Sequence, residues 1–279
     1  MKNISLIFLL FLLAGIFCSC QKKDVQYQVY AIKFTDCGSG PAASMIVGAD
    51  STDSIHVVNI FWLLKSDDGK NILVDAGYID TSENAVKEKF TRPDIMLQEL
   101  DLKPEDISDI IITHPHFDHI GGITLFPGAN IWMQKKDYDY FVTDAWKEGG
   151  NHMGFDEEDV KNIKKVNELG KLKLVDGDSI EIMPGIMAFT GSKHTFENQY
   201  LLVNSDSNKV LLASDAIWFY LNIYQLRPAI LSHDPEGYVN AMRRMKTLVN
   251  DTNYIIPGHD DLLFSMFPKV SERIVKIGH

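Results

Sequence analysis

Cysteine is scarce in this chain: there are three in 279 residues, and two of them, Cys18 and Cys20, lie near the N-terminus. Only Cys37 sits deep in the chain, so no disulfide framework holds the protein together. It reads as a small buried filler rather than a nucleophile. Positive charge is also short. Lys and Arg number 27 against 38 Asp and Glu, a formal net charge of -11. That balance argues against a nucleic-acid partner, because phosphate binding needs a basic footprint. No apolar run is long enough to span a bilayer comfortably, and no G-x-S-x-G elbow announces a serine nucleophile. No fixed repeat or low-complexity linker divides the chain. What is present is 45% hydrophobic residues, enough to bury one large core or two small ones.

The longest apolar stretch, LIFLLFLLAGIF, has twelve residues and follows a single Lys in MKNIS, which suits a signal-peptide core. The junction FCSCQKKD resembles a bacterial lipoprotein signal, with Ser19 before the cleavage point and Cys20 as the acylated residue. Phe17 and Cys18 depart from the residues favoured there, and simple secretion with cleavage near Cys20 is the alternative. The expected organisation is a signal peptide over residues 1–19, a tether over 20–26 and one domain over 27–279. The mature protein is then expected in the bacterial cell envelope, anchored to the membrane through lipid on Cys20 and facing the periplasm or cell surface.

Strands come first: VQYQVYAIKF, then IHVVNIFWLL and NILVDAG joined as a hairpin by SDDGK. A helix around PDIMLQEL follows, with Pro near its start. KPEDISDIIIT brings a strand, GGITLF opens a helix, NIWMQ is a strand and KKDYDYFVTDAW another helix. FDEEDVKNIKKVNEL carries acids at its front and lysines at its back, as the helix dipole prefers. The second half repeats the theme. KLKLVDGDSIEIM and IMAFTG are strands, YLLVNSDSNKVLLASD is a hairpin, and PEGYVNAMRRMKTLV is a helix. NYIIPGHD is a short strand running into a loop, and a last helix closes the chain. Strands gathered in each half with helices between them predict an α/β protein, two sheets packed together and covered outside by helices.

Chemistry concentrates in THPHFDHIGG, residues 113 to 122, where His114, His116, Asp118 and His119 crowd together. The preceding ISDIIIT reads as a buried strand ending at Thr113. Pro115 keeps His114 and His116 on extended backbone, where residues two apart point to the same side. Those two can share one ion, leaving Asp118 and His119 to reach a second. His194 follows IMAFTG, Asp215 ends KVLLASD and His259 ends YIIPGHD, each directly after an apolar strand, where loops carry chemistry above a rigid sheet. The set comprises five His and two Asp, sufficient for two zinc ions with positions left for water. A closed structural zinc site is disfavoured because none of these ligands is Cys. His56, His152, His233 and His279 are assigned no role, although His152, in GGNHMGF, is a candidate pocket residue.

HPHFDH matches the HxHxDH signature of the metallo-β-lactamase superfamily, and NILVDAG, TGSKHTFENQY, LLASDA and IIPGHD resemble its other motifs in the same order. The resemblance covers roughly residues 27 to 275. It implies an αββα sandwich of two mixed β-sheets flanked by helices. It also implies that His114, His116 and His194 bind one metal, that Asp118, His119 and His259 bind a second, and that Asp215 bridges them. Asp75 matches a carboxylate that orients a ligand imidazole. Di-iron members usually carry Glu where this chain has His116. Two zinc ions per chain are therefore expected, holding a bridging water that ionises near neutral pH to attack an ester-type bond.

A bridging Asp215 separates the chain from β-lactamases and groups it with lactonases, glyoxalase II-like thioesterases and nucleases; acidity disfavours the last. HTFENQY and ASDAIWFY are most similar to the N-acyl-homoserine lactonase-like group. Such lactonases often carry Tyr three residues after the bridging Asp. Here that place is Trp218, a donor only and no useful acid. WFYLNIY supplies Tyr220 and Tyr224 nearby, of which Tyr220 is expected to join Asp118 and Asp215 in catalysis, the alternative for the whole run being pocket wall or core. The expected function is a zinc-dependent hydrolase opening a small-molecule lactone or related ester. The alternatives are a glyoxalase II-like thioester hydrolase and an envelope-anchored metal-binding or interaction protein with little catalysis.

Overall fold

The computed structural model describes residues 25–79, 89–205 and 208–278. The expected signal peptide, the acylated Cys20, most of the tether and His279 lie outside them. Among the described residues no helix is long and apolar enough to cross a membrane.

Strands β1 (Tyr27–Pro41), β2 (Ser54–Ser66), β3 (Asn71–Val74), β4 (Ile107–Ile111), β5 (Asn130–Gln134) and β6 (Leu172–Val175) build most of one sheet. β7 (Ile180–Met183), β8 (Ile186–Phe189), β9 (Tyr200–Asn204), β10 (Lys209–Ser214) and β11 (Ile255–Pro257) form the other, and β12 (Ile274–Ile277) returns to pair with β1. The orders are β12-β1-β2-β3-β4-β5-β6 and β11-β10-β9-β8-β7. Both sheets are mixed. β3, β4, β5 and β6 run parallel to one another, as do β10 and β11, while the remaining pairs are antiparallel.

Alternation along the strands assigns each side chain to a layer. Val29 and Ala31 of β1 and Val58, Ile60, Trp62 and Leu64 of β2 face the second sheet and share its core. Tyr30, Ile32, Phe34, Phe61 and Leu63 point the other way. That outer face is covered by α1 (Pro93–Met96), α2 (Phe117–Ile120), α3 (Lys135–Val142) and α4 (Glu157–Glu168), through Met96, Ile120, Phe141 and Ile163. On the second sheet lie α5 (Tyr220–Gln225), α6 (Pro235–Leu248) and α7 (Leu263–Met266), the α6 contribution being Tyr238, Ala241, Met242 and Met245. The αββα sandwich expected from the sequence is thus the observed fold.

Three local expectations are corrected. The chain closes on a strand, not a helix: α7 is a single turn that Pro268 cannot prolong, and β-branched Ile274, Val275 and Ile277 then pair along β1. GGITLF forms only a 3-10 turn at Ile123–Leu125, because the helical turn starts earlier, at Phe117. Cys37 is exposed rather than buried. It lies on the far half of β1, beyond the register shift at Lys33/Thr35, where inward and outward residues alternate between partial and full exposure.

Candidate metal centre

The carboxyl ends of β4 and β10 and the exits of β8 and β11 converge at one edge of the sandwich, and seven side chains meet there. His116 closes the extended segment after β4 (φ -68°, ψ 149°), and α2 begins at the next residue. This placement separates the two halves of the motif. His114 and His116 project from extended chain, whereas Asp118 and His119 project from a helical turn.

The first cluster is His114, His116, His194 and Asp215; the second is Asp118, His119 and His259. His116 Nδ1 lies 3.0 Å from His114 Nε2 and 3.1 Å from His194 Nε2. Asp215 spans both groups. Its Oδ2 is 3.1 Å from His194 Nε2 and 3.8 Å from His114 Nε2, while Oδ1 is 3.0 Å from His259 Nε2 and 3.3 Å from His119 Nε2. Asp118 Oδ2 stands 3.5 Å from His119 Nε2 and 3.9 Å from His259 Nε2. Two of these atoms, His119 Nε2 and Asp215 Oδ1, are buried with no hydrogen-bond partner. Leaving buried polar atoms unpaired costs about 1–3 kcal/mol each. A cation between the clusters removes that cost, and an all-nitrogen-and-oxygen donor set suits hydrolytic zinc. The residues fit a pair of divalent ions.

Groups behind the clusters aim the ring nitrogens. Asp75 Oδ2 meets His119 Nδ1 at 2.8 Å and also accepts from Thr113 Oγ1 and Ser214 Oγ, while its Oδ1 accepts from the Thr113 amide. His194 Nδ1 donates to the Leu231 carbonyl at 2.8 Å, and His259 Nδ1 faces the Val58 carbonyl at 3.0 Å and Asn59 Oδ1 at 3.1 Å. Each bond holds a proton on Nδ1 and leaves Nε2 as the lone-pair atom. Asp75 and Ser214 adopt φ of 62° and 45°, a region uncommon for residues with a side chain. Both strained positions sit at this centre.

Electrostatics divides the cluster. Burial, reinforced by His119, pushes His114 well below its ordinary value, and burial with the His194 charge pushes His116 down to about 3. Burial opposes ionisation of Asp118, yet the charge and hydrogen bond of His119 together with His259 outweigh it and hold the carboxyl at about 2. Asp215 is likewise held well below the usual range, with His259 and His119 overcoming burial. His119 is raised well above 6.5 because Asp118, Asp215 and Asp75 overcome its burial, and His259 is raised by Asp215. Without metal, then, the surroundings favour the ionised form of Asp118 and Asp215 and the protonated form of His119 and His259.

Above the centre opens a cleft of about 440 Å³, walled by Met45, Val57, Phe117, Met153, Trp218 and Ile230. No Lys or Arg lines it among the described residues. Trp218 does more than wall it: its Nε1–H donates to Asp215 Oδ2 at 2.6 Å. Tyr220, expected to act in catalysis, is not brought to the site. It is 1% exposed, packs in the hydrophobic core around the second sheet, and turns its hydroxyl to the Asn253 carbonyl at 3.5 Å. The reason is local: α5 starts at Tyr220, so Trp218 and Phe219 line the cleft and the next residue points inward. His152 also turns away, stacking on Trp146, whereas its neighbours Asn151, Met153 and Gly154 face the cleft. His233, given no role, stands at the rim, and His56 instead joins Ser39 and Asp36. Missed altogether was Tyr238, whose hydroxyl donates to the Asp215 carbonyl at 3.0 Å from one turn into α6. No sequence signal marks it.

Comparison with known proteins agrees with this geometry. The sequence profile of the metallo-beta-lactamase superfamily matches residues 56–259. An N-acyl homoserine lactonase of a Bacillus species is 29% identical over 216 residues, covering 71% of this chain and 80% of that protein. The N-acyl homoserine lactonase AttM of Rhizobium johnstonii is 25% identical over 178 residues, 62% and 65% of the two chains. Among solved structures, a quorum-quenching N-acyl homoserine lactone lactonase superposes with a TM-score of 0.66 at 25% identity, over 85% of this chain and 93% of that one. AidC, a dizinc quorum-quenching lactonase, shares the fold at 17% identity, with a TM-score of 0.65 over 92% and 98% of the chains.

Proposed function

Because this chain belongs to the metallo-beta-lactamase superfamily, we propose that it is a metal-dependent hydrolase that opens lactones of the N-acyl-homoserine type, using two zinc ions. The observation that carries this reading is Asp215, which presents one carboxylate oxygen to each histidine cluster at the floor of an apolar-walled cleft. When bound, such an ion pair supplies Lewis acidity toward a carbonyl and lowers the pKa of water to roughly neutral. The chain's own residues do the positioning. His114, His116 and His194 would hold one ion, Asp118, His119 and His259 the other, with Asp215 shared between them. Asp118, ionised and at the cleft edge, accepts a hydrogen bond from the attacking water and orients it. Met45, Phe117 and Ile230 receive the acyl part by burial of apolar surface.

The lining favours a neutral substrate. The remote carboxylates of a glutathione thioester would lie along the cleft walls, away from the ions, where no Lys or Arg among the described residues meets them. The test is a panel of N-acyl-homoserine lactones, a glutathione thioester and a cephalosporin, assayed with zinc-loaded protein. Lactone opening that chelation abolishes and zinc restores is the expected result. Turnover of the thioester alone, or of nothing by protein holding two ions, would reject the reading. Location is part of the same proposal. The stretch LIFLLFLLAGIFCSC supports an envelope protein acylated on Cys20, and a mature N-terminus free of lipid by mass spectrometry would refute it.

A further inference from the structure

We propose that Trp218 is the positioning residue for Asp215, an assignment that rests on the dinuclear reading above. A carboxylate bridges two ions only while its plane is turned so that each oxygen faces a different ion; rotation about Cβ–Cγ turns the line between the two oxygens away from the line between the ions. Asp215 is 3% exposed, so water has little access to hold that rotation. Its histidine neighbours do not hold it either once ions are bound. His194 and His259 spend their ring N–H groups at Nδ1 on Leu231 and on Val58 and Asn59, and His119 spends its own on Asp75. In the metal-binding state their Nε2 atoms carry lone pairs and have nothing to donate. The indole N–H of Trp218, at 2.6 Å from Oδ2, is the remaining donor to this carboxylate among the described residues. It pins Oδ2 toward the first cluster and thereby turns Oδ1 to the second.

The rest of the residue is built for the task. The indole stands edge-on to both His194 and His259, with ring centroids 5.6 and 5.9 Å away and interplanar angles of 74° and 82°. Its backbone carbonyl accepts the amide of His259 at 3.0 Å. One residue therefore fixes the bridging carboxylate by its side chain and the last ligand of the second cluster by its main chain. An indole also neither gains nor loses a proton in the working range, so this bond stays the same across pH.

The test needs no substrate. Trp218→Phe keeps an aromatic wall and removes the N–H, and Trp218→His restores a ring donor. Zinc binding by each, measured by chelator competition and elemental analysis, should show the Phe variant losing affinity for one of its two ions by about 10–100-fold, with His recovering part of it. On wild type, the indole N–H resonance of Trp218, identified by its disappearance in the Phe variant, should be shifted downfield and slow to exchange when zinc is bound. A Phe variant that holds both ions as tightly as wild type overturns the assignment. So does a fast-exchanging, unshifted indole resonance in the loaded wild type, whatever the variants do. Wild type that takes up fewer than two ions would instead reject the dinuclear reading, and this assignment with it.

Discussion

Gly258 sits one residue before His259, and replacing it with alanine loads strain onto the Asp215 carboxylate. A Cβ there would stand 2.7 Å from Asp215 Oδ1 and 2.9 and 3.1 Å from the carbonyl carbon and oxygen of Ser214. The backbone on that side is held. β10 and β11 pair in parallel with Ser214 opposite Pro257, and the Gly258 amide donates to the Ile217 carbonyl at 2.9 Å. Overpacking of this kind costs about 1–3 kcal/mol. In a domain of this size each kcal/mol moves the melting temperature by roughly 2–4 °C, so a fall of about 2–12 °C is expected. The carboxylate, held by one hydrogen bond from Trp218, yields before the paired backbone does. Rotating it carries Oδ1 away from His259 Nε2 and His119 Nε2, now 3.0 and 3.3 Å distant. The second cluster then keeps three donors in place of four, and zinc affinity there should drop by about 10–100-fold. Differential scanning fluorimetry of metal-free protein reads the first effect, and elemental analysis after chelator competition reads the second. An alanine variant with wild-type melting and both ions held at wild-type affinity would refute the close-packing argument.

Zinc binding should release at least one proton per chain at pH 7, because the raised values of His119 and His259 leave protons that an ion must displace. The sign follows: affinity strengthens as pH rises, about tenfold per unit for each proton released, until pH passes the raised values. Calorimetry in buffers of different ionisation enthalpy counts the protons, and a count of zero contradicts the charge assignment. Asp75→Asn leaves at least one buried donor among Thr113, Ser214 and His119 without an acceptor, at about 1–3 kcal/mol for each one lost. Melting with and without zinc measures this, and an unchanged curve would remove Asp75 from its orienting role. Tyr220→Phe should leave kcat within about twofold, or ~0.4 kcal/mol in barrier, since its hydroxyl faces Asn253. A fall of several decades would return Tyr220 to the chemistry.

What was legible in the sequence follows a physical boundary between local and non-local information. His114, His116, Asp118, His119, His194, Asp215 and His259 each follow an apolar strand within a few residues, so period and breaker residues alone place them at strand ends, and strand ends share an edge. The alternating apolar strands likewise announced two sheets. Tyr220 was misplaced for a reason of the same scale. In WFYLNIY every position is aromatic or apolar nearby, and only the start of α5 at Tyr220 decides which ring turns to the cleft. An aromatic run carries no periodic signal of where extended chain becomes helix. Cys37 failed similarly: β1 looks apolar up to Phe34, and the loss of a covering layer beyond it is a property of tertiary packing. The contacts that aim the ligands lie further still beyond reach. His194 leans on a carbonyl 37 positions away and His259 on one 201 positions away, and a backbone carbonyl has no residue identity to read. Trp218 falls between the two cases. Its position beside Asp215 was visible and its lack of an acidic proton was inferred, but whether the N–H faces carboxylate or solvent depends on a turn that only the assembled edge defines. Identity of the donors is therefore written locally, while their aim is written in the packing of both sheets, so substitutions at Gly258, Asp75 and Trp218 should alter metal affinity without touching a ligand.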